Sequence, residues 1–275
     1  MAKKLIILLL IFHICNIAEC QPPHLYTMQQ GLKSSYIDNL YVDSANFVWV
    51  CTTNSLEVFD GYRFEDISFT DKKSGKRLFN KVSSVRQIDK THYWIQSNIG
   101  LFVYDLEDNS YEKVQLSETE EDLVNKGSLN HSVPYPGGKK TLFSSEGFGL
   151  FVIENATHQV DSVLSMKLNG LVGESYIWNI LIDKKKRLWV SDLRNEITVI
   201  NLSNDQKLQL EVSESARKIM SNSYVTSFCE DNKNNKIYMS MSHNGVLVFD
   251  GKSNTIRELK NNDHSLYGNC LVQTP

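Results

Sequence analysis

The stretch SSYIDNLYVDSANFVWVCTTNSLEVFDG, residues 34–61, decides the fold of this chain. It contains a serine, a run of alternating apolar and polar residues, a turn rich in Asp and Asn, a tryptophan in an apolar run, and the ending Leu-x-Val-Phe-Asp-Gly. Versions of this order begin near residues 82, 175 and 223, and a degraded version surrounds residues 142–153. A repeat of about 45–50 residues built from short strands indicates radial repetition rather than one continuous sheet.

Each copy predicts four short strands. The first alternates apolar and polar residues, as a half-buried strand does. The Asp- and Asn-rich turn follows, because these side chains bond the nearby backbone and tolerate left-handed geometry. The second strand carries the aromatic residue, the third the Leu-x-Val pattern, and the fourth is weaker (residues 208–212 in the fourth copy). We therefore predict an all-β chain that folds as a β-propeller of four-stranded antiparallel blades.

The predicted ring is unfinished. The predicted blades cover residues 34–70, 80–118, 132–168, 174–214 and 222–260, and residues 264–275 begin a sixth. Residues 24–28 predict a further strand with no blade before it. Unpaired sheet edges invite aggregation. We therefore expect about five complete blades that form the N-terminal part of a longer protein.

The recurring aromatic and acidic residues have a structural explanation. Neighbouring blades pack face to face and need a bulky apolar residue at the same height, which predicts Trp49, Trp94 and Trp189 as core. The third copy lacks the tryptophan, and Phe143 is expected to keep the core filled. Aspartates recur at equivalent positions in the repeats, so they are expected to form turns. This recurrence argues against any one of them being a unique acid or base.

The first 20 residues differ from the rest. Lys3 and Lys4 precede an apolar run over residues 5–14, and Ala18 stands shortly before Cys20. This layout is typical of a secretory signal peptide, predicted over residues 1–20. Cleavage after Cys20 would leave residues 21–275 as one propeller domain, and lipidation of Cys20 is the alternative. The apolar run is shorter than the ~20 residues that a membrane-spanning helix needs.

Composition excludes several classes of function. The net charge of −3 gives no electrostatic basis for nucleic-acid binding. Only Cys51, Cys229 and Cys270 follow the predicted signal peptide, too few for a disulfide scaffold. Cys51 and Cys229 fall in predicted strands and are expected to be small buried hydrophobic residues. The chain has no Cys or His spacing typical of a metal site, so neither a metal nor a cofactor is expected.

The candidate binding residues lie on one predicted face. Loops between second and third strands, and loops between blades, open on the same side of a propeller. Asn, Arg and His side chains with a flat aromatic ring suit sugar hydroxyl groups. Trp178, out of phase with Tyr176 in its first strand, is expected to face the central channel. The candidate ligand-binding residues are Trp178, Arg194, His243, Asn244 and Asn98.

Two other classes of function stay open. A propeller glycosidase or lyase would need converging carboxylates, and Glu146, Asp192 and Glu196 are the acids of that face. A protein-interaction propeller, which includes a dimerisation module, would need no ligand. We expect no catalytic residue in this chain.

Residues 28–62 resemble the two-component regulator propeller repeat, whose pattern is close to G-L-S-x-x-x-V, F-L-W-I-G-T and G-L-x-x-Y-D-G. The resemblance extends over roughly residues 24–275, with Val-Cys-Thr at residues 50–52 in place of Ile-Gly-Thr. It implies the periplasmic sensor half of a Bacteroidetes hybrid two-component system, in which seven-bladed propellers precede a membrane span and a histidine kinase. On this resemblance the chain is an incomplete seven-bladed ring that senses an oligosaccharide, acts as a homodimer, and signals to a kinase that this chain does not contain.

Overall fold

The computed structural model describes residues 25–70, 74–79, 81–114, 129–145, 149–163, 177–243, 245–261 and 264–265. The predicted signal peptide, Cys20, Glu146, Asn244, Cys270 and most of the predicted sixth blade therefore lie outside the described residues. Within them the chain forms five small antiparallel blades, which confirms the all-β propeller prediction. The expected total of seven blades stays a prediction. No helix among the described residues is long and apolar enough to cross a membrane.

In blades 1–4 the strands follow one another from the first to the outermost position. Blade 1 contains β1 (Ile37–Val42), β2 (Val48–Thr52), β3 (Leu56–Phe59) and β4 (Phe64–Asp66). Blade 2 contains β5 (Val82–Gln87), β6 (His92–Ser97), β7 (Gly100–Asp105) and β8 (Ser110–Lys113). Blade 3 contains β9 (Leu129–Pro134), β10 (Lys140–Ser145), β11 (Gly149–Glu154) and β12 (Val160–Val163). Blade 4 contains β13 (Ile177–Ile182), β14 (Arg187–Asp192), β15 (Ile197–Asn201) and β16 (Gln206–Lys207).

Blade 5 differs from the others because it has five strands. They are β17 (Glu211–Val212), β18 (Val225–Asp231), β19 (Lys236–Met241), β20 (Val246–Asp250) and β21 (Thr255–Glu258), with helix α1 (Glu214–Met220) after β17. The short strands β22 (Lys260–Asn261) and β23 (His264–Ser265) pair with each other. The first strands of neighbouring blades, β1, β5, β9, β13 and β18, contact one another and so line the centre of the arc.

Every first strand carries a register shift near its start. The unpaired residue at this bulge is Asp38 in β1, Ser83 in β5, Trp178 in β13 and Thr226 in β18. In β9 the shift falls between Leu129 and His131. A bulge bends the strand and re-aims the extra side chain. The repeat therefore presents one non-ladder residue per blade at the same end of the first strands.

The tryptophans fill the gaps between blades, as the sequence predicts. Trp49, Trp94 and Trp189 are fully buried. The Trp49 ring lies 4.3 Å from the Tyr93 ring of the next blade, and the Trp189 ring lies 4.9 Å from that of Phe249. Trp94 meets Phe143 edge-on at 5.6 Å, so the prediction that Phe143 keeps the core filled in the degraded copy is confirmed.

Two turns hold their tryptophan through a buried aspartate. In blade 1, Asp43 accepts hydrogen bonds from the backbone N–H groups of Ala45 and Phe47 and, at 2.9 Å, from Trp49 Nε1. The hydroxyl of Tyr93, on the next blade, donates to the same carboxylate at 3.0 Å. The aspartate is therefore a turn former and also a bond between blades.

Blade 4 repeats this arrangement with an added charge. Asp183 accepts from the backbone N–H groups of Lys185 and Arg187 and from Trp189 Nε1. Its Oδ2 also forms a 2.6 Å ion pair with Arg187 Nε. The Arg187 guanidinium lies over Trp189 and Phe249, 5.4 and 5.1 Å from their ring centres. Both charged groups are buried and satisfied.

The predicted strand at residues 24–28 is wrong for the residues that are described. Residues 25–27 are not in a strand, and Met28–Gln30 forms a 3₁₀ turn. Thr27 and Gln30 cap this turn reciprocally, and Gly31 ends it with a φ of 110°. Capping satisfies the free amides locally, so the segment does not need a strand partner. Tyr26 instead packs edge-on against Phe59 at 4.7 Å.

The predicted fourth strand at residues 208–212 is also wrong. The outer strand of blade 4 is Gln206–Lys207, and Glu211–Val212 crosses to blade 5, where it pairs in parallel with Thr255–Glu258. Helix α1 then starts at Ser213, whose side chain accepts from the Ala216 N–H. Ala216 is fully buried, so the helix is fixed by packing against blade 5.

Candidate functional site

One end of the blades gathers most of the predicted binding residues. Second strands run into third strands at this end, and first strands begin there, because successive strands are antiparallel. We call it the loop face, defined by the turns at residues 53–55, 98–99, 193–196 and 242–243. The turns between first and second strands lie at the opposite end. The bulges of the first strands belong to the loop face.

Trp178 occupies the bulge of β13. Its neighbours Ile177 and Asn179 are buried, whereas Trp178 is half-buried. Its ring meets the Tyr224 ring edge-on with 5.4 Å between centres. Tyr224 is itself half-buried and leads into the first strand of blade 5. A pair of partly accessible aromatic rings thus lies where blades 4 and 5 meet.

His243 is tied to the same segment. The Tyr224 N–H donates to Ser242 Oγ at 3.3 Å, and the Ser242 N–H donates to the Tyr224 carbonyl at 2.9 Å. Ser242 Oγ in turn hydrogen-bonds His243 Nδ1 at 2.8 Å. His243 is exposed, so its remaining ring nitrogen is open to solvent.

Arg194 approaches the segment from blade 4. Its Nε donates to Asp192 Oδ2 at 3.1 Å, and its side chain is exposed. The neighbouring Asn195 Nδ2 donates to the Ser221 carbonyl at 3.3 Å, which links this turn to the start of blade 5. Trp178 contacts Tyr224, His243 is linked to Tyr224 through Ser242, and Arg194 lies in the turn that bonds Ser221. We call Trp178, Tyr224, Arg194 and His243 the loop-face patch.

A buried hydroxyl without a partner lies inside this patch. Ser223, next to Tyr224, is 1% exposed, and its Oγ has no hydrogen-bond partner among the residues that the structure describes. Leaving a buried hydroxyl unsatisfied costs about 1–3 kcal/mol. Such a cost is typical of positions where a water or a ligand completes the bonding.

The structure does not place the remaining candidates in the patch. Asn98 lies on the loop face of blade 2, where its Oδ1 accepts from the Lys81 N–H at 3.1 Å. Asn244 and Glu146 lie outside the described residues. Asp192 is buried, and its carboxylate accepts from the amides of Arg194 and Glu196 as well as from Arg194 Nε. Its oxygens hold the turn, which is a poor arrangement for an acid or base.

A second group of polar residues lines the centre of the arc. Arg86, on the first strand of blade 2, is half-buried, and its guanidinium carbon lies 5.1 Å from the ring centre of Tyr41 on blade 1. Its Nε donates to Ser132 Oγ on blade 3 at 3.4 Å. His131 precedes Ser132 and is also half-buried.

These two basic groups are poorly hydrated. Burial lowers the pKa of Arg86 below its ordinary value. Burial and the positive charge of Arg86 lower the pKa of His131 to about 4, so its ring is neutral at pH 7. Among the described residues no carboxylate forms an ion pair with Arg86. The group is a desolvated cation without an acidic partner.

The sequence contained a signal for Arg86 that the loop-based argument missed. The strand registers place Arg86 level with Tyr41, Val133, Leu181 and Cys229 of the other blades. Only this copy has a charged residue there. Tyr224 carried no such signal, because an aromatic residue at the start of a first strand also occurs as Tyr36 and Tyr176.

The geometry alone identifies the class of protein. It is an arc of a β-propeller whose blades are built on four antiparallel strands, with polar residues on the loop face and in the centre. No family model matches the chain, and no curated protein does. Solved structures do match. The extracellular domain of BT3049, described as a hybrid two-component system of B. thetaiotaomicron, has a TM-score of 0.60 and 17% identity over 88% of this chain. The extracellular domain of BT4673, from the same organism, has a TM-score of 0.63 and 20% identity over 85% of this chain.

A further match has a different biological setting. PorZ, a surface component of the type-IX secretion system of Porphyromonas gingivalis, gives a TM-score of 0.57 and 16% identity over 81% of this chain. At these identities the similarity establishes the fold. This chain spans 37% of the BT3049 structure and 31% of the BT4673 structure. The propeller fold predicted from the sequence is thus confirmed, and it is shared with the extracellular domains of two two-component systems of B. thetaiotaomicron.

Proposed function

We propose that this chain is a periplasmic ligand-sensing propeller segment that binds an oligosaccharide without changing it. The loop-face patch carries the proposal. It combines two partly accessible aromatic rings, Trp178 and Tyr224, with the exposed side chains of Arg194 and His243. Sugars offer an apolar face to aromatic rings and hydroxyl groups to polar side chains. The fold shared with sensor ectodomains supports the same assignment.

The signal would pass to a histidine kinase in a longer parent protein. A ligand that binds one arrangement of the propellers or of two protomers better shifts the population toward it. The patch lies between blades 4 and 5, so a bound sugar would contact both. A homodimer is the arrangement in which we expect this shift to be read.

The test is a calorimetric titration of the exported protein with a panel of neutral and acidic oligosaccharides. We expect at least one to bind, and Trp178→Ala to weaken that binding tenfold or more. Tyr62→Ala is the matched control, because Tyr62 is an exposed aromatic residue at the opposite end of the blades. A panel without any binder, or equal affinity in both variants, would contradict the proposal.

Two readouts address the other classes of function. New reducing ends after incubation with the panel would instead indicate a glycan-cleaving enzyme. Self-association that does not respond to any sugar would favour an interaction module; PorZ, a surface component of a secretion system, has a similar fold.

A further inference from the structure

Arg86 reaches residues of two different blades. It starts on the first strand of blade 2, yet it contacts Tyr41 of blade 1 and Ser132 of blade 3. The first strands of the three blades, β1, β5 and β9, contact one another in turn. The guanidinium therefore lies on the central side of these strands, where the arc opens.

Contacts with the described residues use only part of the hydrogen-bonding capacity of this guanidinium. Its Nε donates to Ser132 Oγ, and one face lies against the Tyr41 ring. A guanidinium has five N–H donors in a fixed planar fork. The two terminal nitrogens have no carboxylate partner among the described residues. The side chain is only partly accessible to solvent, so water replaces the missing partner incompletely.

Buried cations in proteins are ordinarily paired, because desolvating an unpaired charge is costly. Arg187 of blade 4 follows this rule with Asp183. Arg86 does not follow it among the described residues, although Ser132 gives it a polar neighbour. The missing partner has the chemistry of an oxyanion, which an arginine fork binds with two parallel hydrogen bonds.

We propose that Arg86, with Ser132, forms an oxyanion-binding site at the centre of the arc, distinct from the loop-face patch. The oxyanion is a carboxylate or sulfate group. Arg86 supplies the charge and the paired donors, and Ser132 positions its Nε. The Tyr41 ring shields one face of the guanidinium from water.

The oxyanion has two sources, which one experiment separates. The full chain is titrated by calorimetry with three probes at constant ionic strength: a uronate-containing trisaccharide, its neutral counterpart, and inorganic sulfate. We expect the uronate trisaccharide or sulfate to bind. Binding of the trisaccharide without sulfate assigns the site to an acidic sugar, and binding of both assigns it to oxyanions in general.

The variants decide whether Arg86 is responsible. Arg86→Met should weaken oxyanion binding by tenfold or more, because a charge-assisted bidentate pair is lost. Arg86→Lys keeps the charge and the fold and should weaken it less. Arg217→Met is the matched control, because Arg217 is exposed on α1. Circular dichroism establishes that each variant is folded.

Three outcomes overturn the site: neither oxyanion binds, the uronate and neutral sugars bind equally, or Arg86→Met and Arg86→Lys both keep the affinity of the native chain. The loop-face proposal fails separately. A neutral sugar lost in Trp178→Ala but retained in Arg86→Met supports the loop-face patch whatever the oxyanion arm gives.

Discussion

Two arginines of this propeller lie against aromatic rings and differ in one respect. Arg187 packs over Trp189 and Phe249 and forms an ion pair with buried Asp183. Arg86 packs over Tyr41 and has no acidic partner among the described residues. The first arrangement is complete within the protein, and we propose that an external oxyanion completes the second. Completeness of the polar contacts, more than burial, separates scaffold from candidate site here.

The largest effect on stability is expected at Asp183, where the polar contacts are complete. Asp183→Ala removes the acceptor for two backbone amides and for Trp189 Nε1, and it leaves the Arg187 charge buried without a partner. We expect the free energy of unfolding to fall by about 3–5 kcal/mol. Urea unfolding monitored by circular dichroism measures it. A loss below about 1 kcal/mol would mean that the contacts of Asp183 do not stabilise blade 4.

The two arginines themselves should respond in opposite ways. Arg187→Met leaves the Asp183 carboxylate buried without its cation and should lower the free energy of unfolding by about 2–3 kcal/mol. Arg86→Met removes a desolvated cation without an acidic partner and keeps its apolar stem. We expect its stability to stay within about 1 kcal/mol of native or to rise. Equal losses in the same urea titrations would erase the distinction between the two arginines.

The next effect concerns pH and His131, the residue before Ser132. Its folded pKa of about 4 lies below the ordinary histidine value, so His131 favours the folded state when neutral. That contribution is complete above about pH 6.5 and is lost as the pH falls toward 4. The facing charge is Arg86; β13 has no charged residue, and Lys140 of β10 pairs with Asp161.

His131→Gln isolates this contribution from that of the carboxylates. We expect the native chain to lose about 2 kcal/mol more than the variant between pH 7 and pH 4. Unfolding titrations at a series of pH values give both curves. If the two curves run parallel, the pKa of His131 is not lowered by its burial and by the charge of Arg86.

The sequence predicts the scaffold better than the sites because the scaffold repeats. Tryptophans at one position of successive copies predict an interblade core, and Trp49, Trp94 and Trp189 are all fully buried. The crossing of Glu211–Val212 into blade 5 breaks the repeat, so no periodic pattern could predict it. The loop-face patch depends on the bond between Asn195 and Ser221, residues of different blades, which only tertiary packing brings together. Trp178 was predictable as a candidate, and its partner Tyr224 was not.

The number of residues between the aspartate and the tryptophan explains why the aspartates of these turns make different contacts. Asp43 and Asp183 each precede their tryptophan by six residues, and each accepts a hydrogen bond from its indole N–H. In blade 2 the interval from Asp89 to Trp94 is five residues. Asp89 is exposed there, and Trp94 Nε1 donates instead to Thr141 of blade 3 at 3.0 Å. One residue of spacing therefore decides whether the carboxylate reaches the core.

The smallest effect follows from this difference. Asp89 bonds only its own turn, through the amides of Thr91 and His92 and the His92 ring. Burial raises the pKa of Asp89, but these hydrogen bonds outweigh it and hold the pKa below its ordinary value. The stabilisation is therefore present above the unfolded pKa and is lost as the pH falls through the folded one. Because the side chain is exposed, Asp89→Ala should cost less than about 1 kcal/mol, several-fold less than Asp183→Ala. Equal losses of stability in Asp89→Ala and Asp183→Ala at pH 7 would contradict the role of turn length. They would show that the bond to the tryptophan adds no stability beyond that of the turn itself.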